Sequence, residues 1–231
     1  MKYLKPLYSC LLMLLAAGAF AQSKSFSKAK KLYKQKQYAE AIPLFEKSLE
    51  EKNSVPTQTK LAYCYKMVNQ IDKAEKLYSD IVYSDKPKDI TFFYYGEALM
   101  RNDKYAAAKV WFEEYLKKKP GDAASLRMIE SCDRVNLIQP YFGEVEAIPF
   151  PQNSDSDDNA PVKYGDQLEN CSDRKQKAKL LKQKSGVTGR DYINLYQAQR
   201  QPDGSFAEPV AFSSKINGLN KNTGPISFDS T

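Results

Sequence analysis

The 231-residue chain contains no histidine and four cysteines. Without histidine there is no serine–histidine–aspartate triad, no imidazole general base and no imidazole metal ligand. The cysteines lack the Cys-x-x-Cys spacing of zinc or thioredoxin-like sites, and the sequence has no glycine-rich phosphate loop or nucleophile-elbow motif. Any catalysis would therefore have to use carboxylates, lysines or thiols.

The first 21 residues have the three parts of a secretory signal. Lys2 and Lys5 give a positive start, residues 11–17 form an apolar run, and residues 19–21 form a small-x-small cleavage site. The run is too short to span a bilayer. A lipoprotein signal through Cys10 is the weaker interpretation, because Cys10 precedes most of the apolar run. We therefore expect export with removal of residues 1–21.

Export leaves a modestly basic chain with an odd number of cysteines. The formal charge is +7, and loss of the two signal lysines lowers it to +5 (7 − 2). With no recognition motif beside it, this excess does not indicate nucleic-acid binding. The pairing of Cys64, Cys132 and Cys171 cannot be assigned from sequence, although buried thiols are expected where Cys64 and Cys132 fall on predicted helices.

Residues 28–120 contain one pattern written three times. Ala41, Ala74 and Ala108 are 33 and 34 residues apart, the period of a helix-turn-helix repeat. Four further columns agree: a small residue 12 positions earlier, an apolar residue nine earlier, an apolar residue three earlier and an aromatic four later. In order of repeat these are Ala29, Ala62, Gly96; Leu32, Tyr65, Leu99; Tyr38, Ile71, Tyr105; and Phe45, Tyr78, Phe112. Small residues let paired helices approach closely, and the aromatics fill the space between repeats.

This pattern resembles the tetratricopeptide repeat family. It predicts helices over residues 26–36 and 38–51, 57–69 and 71–83, and 90–102 and 105–118. An amphipathic segment at residues 122–138 is predicted to cap the last repeat through Leu126, Ile129, Val135, Leu137 and Ile138. We therefore expect a helical domain over residues 22–138.

The resemblance implies that the first helix of each repeat lines a concave, partner-binding face. The residues placed there are aromatic, apolar and charged, as expected for a protein or peptide surface: Phe26, Lys30, Tyr33, Lys34, Tyr63, Lys66, Met67, Phe93, Glu97, Met100 and Arg101. The alternative is that some of them pack against the following domain. The carboxylate clamp of chaperone-binding members requires asparagines, and Lys30 and Lys60 stand at the corresponding first-helix positions, so that activity is not expected.

From about residue 139 the pattern changes to short apolar runs separated by prolines and glycines. Residues 192–198 and 206–212 alternate as strands around a turn at 202–205, which predicts a β-hairpin. Segments 153–162, 172–174, 194–196, 203–206 and 224–228 resemble the first blade, and the opening strand of the second, of a WD-type, TolB-like β-propeller. The polar run Leu168-Glu169-Asn170-Cys171 departs from the apolar strand of that family and is expected to weaken the strand.

The expected fold is thus α plus β, with a three-repeat α-solenoid followed by an incomplete antiparallel β-propeller portion at residues 139–231. Because propellers close with four to eight blades, we expect the front part of a longer protein or a shortened relative. This order of domains is similar to that of a Bacteroidota cell-envelope family. Its members usually end in an OmpA-like peptidoglycan-binding domain, and some serve type IX secretion. No residues of this chain match the OmpA-like domain.

The envelope resemblance implies an exported, non-enzymatic protein-binding scaffold in the periplasm. Its expected partners are other envelope proteins, bound through the concave face, with peripheral outer-membrane or peptidoglycan association also open. No cofactor, metal or nucleic acid is expected. The alternative is a hydrolase or glycan-acting enzyme with carboxylates on the propeller portion, which Asp155, Asp157, Asp158 and Asp173 motivate without any partner at fixed spacing.

Two further patterns have plainer interpretations. Asp155-x-Asp157-x-Asn159 with Asp166 imitates part of a calcium loop, but Ala160 stands where that loop needs glycine, so a surface turn is the better interpretation. The basic run at residues 174–184 could contact an anionic surface, although a solvated loop between strands is the more usual role of a charge run.

Overall fold

The computed structural model describes residues 24–138, 150–175, 184–218 and 220–228. The chain divides into two compact units, a helical unit and a sheet unit, between Cys132 and Asp133. The predicted signal at residues 1–21 lies outside the described residues. No helix among the described residues is long and apolar enough to cross a membrane.

The helical unit consists of three helix pairs followed by the first part of a seventh helix, which continues past the boundary at Cys132. The pairs are α1 (Lys24–Lys34) with α2 (Tyr38–Glu51), α3 (Val55–Met67) with α4 (Ile71–Val82), and α5 (Asp89–Arg101) with α6 (Tyr105–Lys118); α7 is Ala123–Ile138. Successive helices from α1 to α6 pack on one another, and the first helices of neighbouring repeats also meet. The predicted helices are confirmed, with every end within two residues of its predicted position.

The repeat columns form the core of this unit. Ala41, Ala74 and Ala108 are all completely buried, and so are the aromatics four residues after each of them. The small residues 12 positions earlier, Ala29, Ala62 and Gly96, are also buried. The three copies therefore occupy equivalent settings, as the spacing predicts.

Each repeat also turns between its two helices in the same way. Lys36, Asn69 and Asp103 have positive φ angles of 60°, 63° and 58°. The residue after each one donates its backbone N–H across the turn to a carbonyl five positions earlier at 2.9 Å (Gln37 to Leu32, Gln70 to Tyr65, and Lys104 to Leu99). This is the bond pattern of a Schellman helix end, which satisfies carbonyls that the helix leaves unpaired.

The capping helix α7 uses a different face from the predicted one. Its buried positions are Ser125 and Cys132, and Met128 and Ile129 pack against the core. Leu126 and Leu137 are 52% and 64% exposed, so the prediction that they cover the last repeat is wrong. Asp122 starts the helix, accepting the Ser125 N–H and hydroxyl, both at 2.8 Å. The bond to the Ser125 N–H satisfies a donor that the helix start leaves unpaired, and the inward face is the stripe of positions 125, 128, 129 and 132, at helical spacing.

The sheet unit contains a four-stranded antiparallel sheet in the order β1-β2-β3-β4. The strands are β1 (Asp158–Tyr164), β2 (Gln167–Ser172), β3 (Asn194–Gln199) and β4 (Val210–Ala211). Tyr164 pairs with Gln167 across a two-residue turn, in which Gly165 supplies a φ of +57°. The predicted hairpin around residues 202–205 is present, but its returning strand is only two residues long instead of seven.

Candidate partner-binding face

Three tyrosines on the first helices form a continuous row across the repeats. Tyr33 of α1 lies 5.6 Å from Tyr63 of α3, and Tyr63 lies 5.4 Å from Tyr94 of α5, measured between ring centroids. Tyr38 at the start of α2 also contacts Tyr63, at 5.7 Å. We call Tyr33, Tyr63 and Tyr94 the tyrosine row. Each ring is only partly buried, so the row presents aromatic surface along one side of the helical unit.

One lysine is held over the row. The Lys66 ammonium lies 3.9 Å from the centroid of Tyr94 and 5.2 Å from that of Tyr63, within the range of cation–π attraction. The same nitrogen donates to Glu97 at 2.6 Å. The side chains of Lys66 and Glu97 are 13% and 28% exposed. This part of the face is therefore ordered, and its charge is locally balanced.

A second group of lysines, drawn from all three repeats, has no such charge balance. The Lys60 ammonium is 5.2 Å from the centroid of Tyr33. Burial, followed by repulsion from Lys88, Lys30 and Lys34, lowers the pKa of Lys60 below its usual value. We call Lys30, Lys34, Lys60 and Lys88 the lysine cluster. No carboxylate of the described residues forms an ion pair with any of them, so the cluster is a concentrated positive charge beside an aromatic surface.

The structure brings some of the predicted face residues together and assigns others to packing. Tyr33, Tyr63, Lys66 and Glu97 interact directly across the tyrosine row, and Lys30 and Lys34 belong to the lysine cluster. Phe26 and Phe93 make edge contacts with the buried rings Phe45 and Phe112, at 6.0 and 5.4 Å. Met100 also packs against the core, whereas Met67 is 38% exposed and Arg101 donates to Asn69.

Sequence reasoning missed three members of this face, Tyr38, Lys88 and Tyr94, and named Lys60 only as a clamp position without asparagine. Lys60 and Tyr94 occupy the same repeat column, 34 residues apart, so extending the alignment by one more column would have identified both. Lys88 lies just before α5, outside any helix. No periodic signal marks it.

The carboxylates that suggested an enzyme lie in the sheet unit, where arginines hold them. Asp158 pairs with Arg174 at 2.6 Å, and Arg190 pairs with both Asp157 and Asp173 at 2.6 Å. Asp173 also accepts the backbone N–H of Asp157 at 2.9 Å. These contacts tie the turn before β1 to the end of β2. Three of the four carboxylates are thus engaged in structural ion pairs.

The contacts of Asp158 change the pKa of its carboxyl group. Burial raises its pKa, but the hydrogen bonds from Arg174 and from the Ser154 backbone and hydroxyl outweigh burial and bring the pKa down to about 2. The two Ser154 bonds measure 2.6 and 2.8 Å. A carboxylate held ionised in this way does not supply a proton near neutral pH.

The other sequence candidates can be placed as well. No group of carboxylates or thiols within the described residues has the arrangement of a metal site. In the basic run, Arg174 is a partly buried partner of Asp158 and not part of a solvated loop, and residues 176–183 lie outside the described residues. Cys64, Cys132 and Cys171 are all buried. Burial raises the pKa of the Cys64 thiol to about 12, which makes it unreactive.

Comparison with known proteins supports the helical repeats. A family model described as tetratricopeptide repeat matches residues 32–90, so the predicted repeats are confirmed there. No curated protein matches the chain. Solved structures do, at low identity.

Three of these solved structures serve as examples. The first TPR of Spaghetti (RPAP3) bound to an HSP90 peptide is 20% identical with a TM-score of 0.45, covering 48% of this chain and 89% of that one. The Sgt2 TPR domain from Aspergillus fumigatus is 19% identical with a TM-score of 0.44, covering 57% and 89%. The Yersinia enterocolitica chaperone SycD with a YopD peptide is 18% identical with a TM-score of 0.43, covering 48% and 90%. Similarity at this level says nothing about the partner of this chain.

Proposed function

We propose that the helical unit is a protein-binding module whose first-helix face holds an extended segment of a partner protein. The observation that carries this proposal is the tyrosine row with the lysine cluster beside it. Partly exposed aromatic rings provide contact area at low conformational cost. The unpaired ammonium groups favour carboxylates, so the segment carries acidic residues where it passes the lysine cluster.

The arrangement differs from a two-carboxylate clamp. A clamp relies on asparagine amides, and this face has Lys30 and Lys60 at the corresponding positions. Ammonium groups act as point charges without fixed hydrogen-bond geometry. The face therefore selects for the density of negative charge rather than for one terminal carboxylate. Binding of this kind weakens as ionic strength rises.

The wider setting is part of the same proposal. The signal-like residues 1–21 support export to the periplasm as a non-enzymatic scaffold of the cell envelope. The resemblance to envelope proteins supports partners there, including those of type IX secretion or of outer-membrane and peptidoglycan organisation. A single four-stranded antiparallel sheet in chain order is also the strand arrangement of one propeller blade, which supports the sheet unit as the first blade of a WD-type β-propeller.

Selection from a random peptide library displayed on phage tests the face with no partner assumed in advance. Against the full chain, we expect enriched peptides to contain two or more acidic residues together with an aromatic or apolar one. Their affinities, measured by fluorescence polarisation, should fall as salt is raised. Enrichment of peptides without acidic residues would contradict the proposal.

Charge reversal then locates the site. Lys34→Glu with Lys88→Glu changes two exposed members of the lysine cluster, and we expect affinity to fall about 5- to 30-fold, as two exposed charge contacts allow. Lys28→Glu with Lys31→Glu makes the same charge change at exposed positions of α1 outside the cluster and should retain binding. Equal losses in the two double variants would show that net charge, and not this face, controls binding.

A further inference from the structure

The sheet unit contains a cavity that the proposed function does not use. Its volume is about 410 Å³, within the range of small-molecule sites. The apolar part of its wall consists of Phe150, Pro161, Leu168, Ala198, Phe206 and Pro209. Leu168 and Ala198 are cross-strand partners on β2 and β3, and the rings of Phe150 and Phe206 lie 6.0 Å apart. The cavity thus has a sheet floor and an aromatic wall.

Three of the six polar side chains that line the cavity, those of Gln152, Asp158 and Asn170, have partners inside the protein. Gln152 donates to the Phe206 carbonyl at 2.6 Å. Asp158 is held by Arg174, and Asn170 donates to the same carboxylate at 3.2 Å. These contacts fix the shape of the rim, and the remaining uncharged polar side chains of the lining are the exposed amides of Asn153 and Asn159.

Lys163 is different from the rest of the lining. It lies on β1 opposite Leu168, is exposed and lines the cavity. Within the described residues its ammonium forms no ion pair. The other charged group of the lining, Asp158, is neutralised by Arg174. An apolar cavity with one available cation at its edge is complementary to an apolar ligand that ends in an anion.

We propose that this cavity binds a small amphiphilic carboxylate, with its hydrocarbon part between Phe150, Phe206 and Leu168 and its carboxylate at Lys163. The hydrocarbon supplies most of the affinity, roughly fourfold for each methylene that becomes buried. The ammonium selects the head group. A carboxylate is therefore preferred over an alcohol of the same length, and a cationic amphiphile is disfavoured.

Titration of the full chain with matched eight-carbon probes tests this preference. Octanoate, octanol and octylammonium would be added below their aggregation limits and followed by NMR of the methyl groups of Leu168 and Ala198. We expect saturable shifts at these methyls, with octanoate bound most tightly and octylammonium most weakly. Hexanoate should bind more weakly than octanoate. Absence of saturation, or an order that ignores the head group, would overturn the proposal.

Substitution of Lys163 distinguishes binding of octanoate in the cavity from nonspecific adsorption to the protein surface. Lys163→Gln should weaken octanoate about three- to fivefold, the size of one exposed charge contact, and leave octanol unchanged. Lys215→Gln removes another exposed lysine of the sheet unit that does not line the cavity, and it should change neither affinity. Both positions are exposed, and an unchanged NMR spectrum before titration verifies the fold. Equal effects of the two variants would refute the assignment of the carboxylate to Lys163.

Discussion

The close approach of α5 and α6 gives the sharpest stability prediction. Gly96 is buried on α5 against the fully buried ring of Phe112. A Cβ added at Gly96 would lie 2.7, 2.9 and 2.9 Å from three carbons of that ring. Alanine occupies the equivalent positions of the first two repeats, so the same side chain that fits at Ala29 and Ala62 has no room in the third repeat.

Two opposing contributions determine how much Gly96→Ala changes the free energy of unfolding. Overpacking a tight core costs about 1–3 kcal/mol, whereas alanine is favoured over glycine inside a helix by about 1 kcal/mol. The net expectation is destabilisation of about 0–2 kcal/mol. In a Phe112→Leu background the ring is gone, so the helix preference should dominate and Gly96→Ala should stabilise that variant by up to about 1 kcal/mol.

Denaturant unfolding, followed by the fluorescence of Trp111, measures the change in the free energy of unfolding of the helical unit. Trp111 is the sole tryptophan of the chain and lies 5.0 Å from the ring of Tyr95 on α5. A coupling free energy of about 1–3 kcal/mol between positions 96 and 112 is expected from the four-variant cycle. Ala62→Gly serves as a control and should destabilise by roughly 1 kcal/mol. If Gly96→Ala had the same effect with and without Phe112, the steric account would be wrong.

Two further predictions concern a turn and an ion pair. Lys36→Gly should stabilise the helical unit by about 0.5–1 kcal/mol in the same assay, because a lysine at φ 60° is strained where glycine is not, and Lys36→Ala should give no gain. The pKa of Asp158 is lowered to about 2 in the folded protein, against about 4 in the unfolded chain. The ionised carboxylate therefore stabilises the fold by about 2 kcal/mol above pH 4, and this stabilisation is lost as the pH falls toward 2. Hydrogen exchange of the β2 amides between pH 6 and 3 should show this loss, whereas Asp158→Asn should have weaker protection at pH 6 and a smaller pH dependence. An unchanged pH profile in Asp158→Asn would contradict the assignment.

The repeats could be predicted from sequence because helix packing repeats its steric demands. Alanine recurs at 41, 74 and 108 since each copy needs the same close contact, and the family match over residues 32–90 agrees with that interpretation. The turns between helices repeat just as regularly but could not be predicted from residue type. Their left-handed positions hold lysine, asparagine and aspartate, because the bonds of the helix end impose the conformation whatever side chain is present.

Strand β2 shows where composition misleads. The polar run at Leu168-Glu169-Asn170-Cys171 is expected to weaken the strand, yet β2 pairs with β3 at all six of its positions and with β1 on both sides of a register shift opposite Asn170. Glu169 is buried with neither carboxylate oxygen hydrogen-bonded, and burial raises its pKa. A raised pKa favours the neutral acid, which costs far less to bury than a carboxylate. Backbone pairing on both sides therefore outweighs the preference of one side chain.

Packing determines the residues of the core but not the lysines of the partner-binding face. Packing dictates Ala29 and Phe45, but nothing in the fold requires Lys30, Lys34, Lys60 and Lys88 to lie together. Burial first, and then repulsion among these lysines, lowers the pKa of Lys60, which means that the folded state disfavours the charged form and loses stability near neutral pH. An acidic segment would reverse this effect by raising that pKa and relieving the repulsion. The repulsion between the lysines lowers the stability of the fold, and binding of an acidic segment would remove that repulsion. This is the physical reason to regard the lysine cluster as a site and not as incidental surface charge.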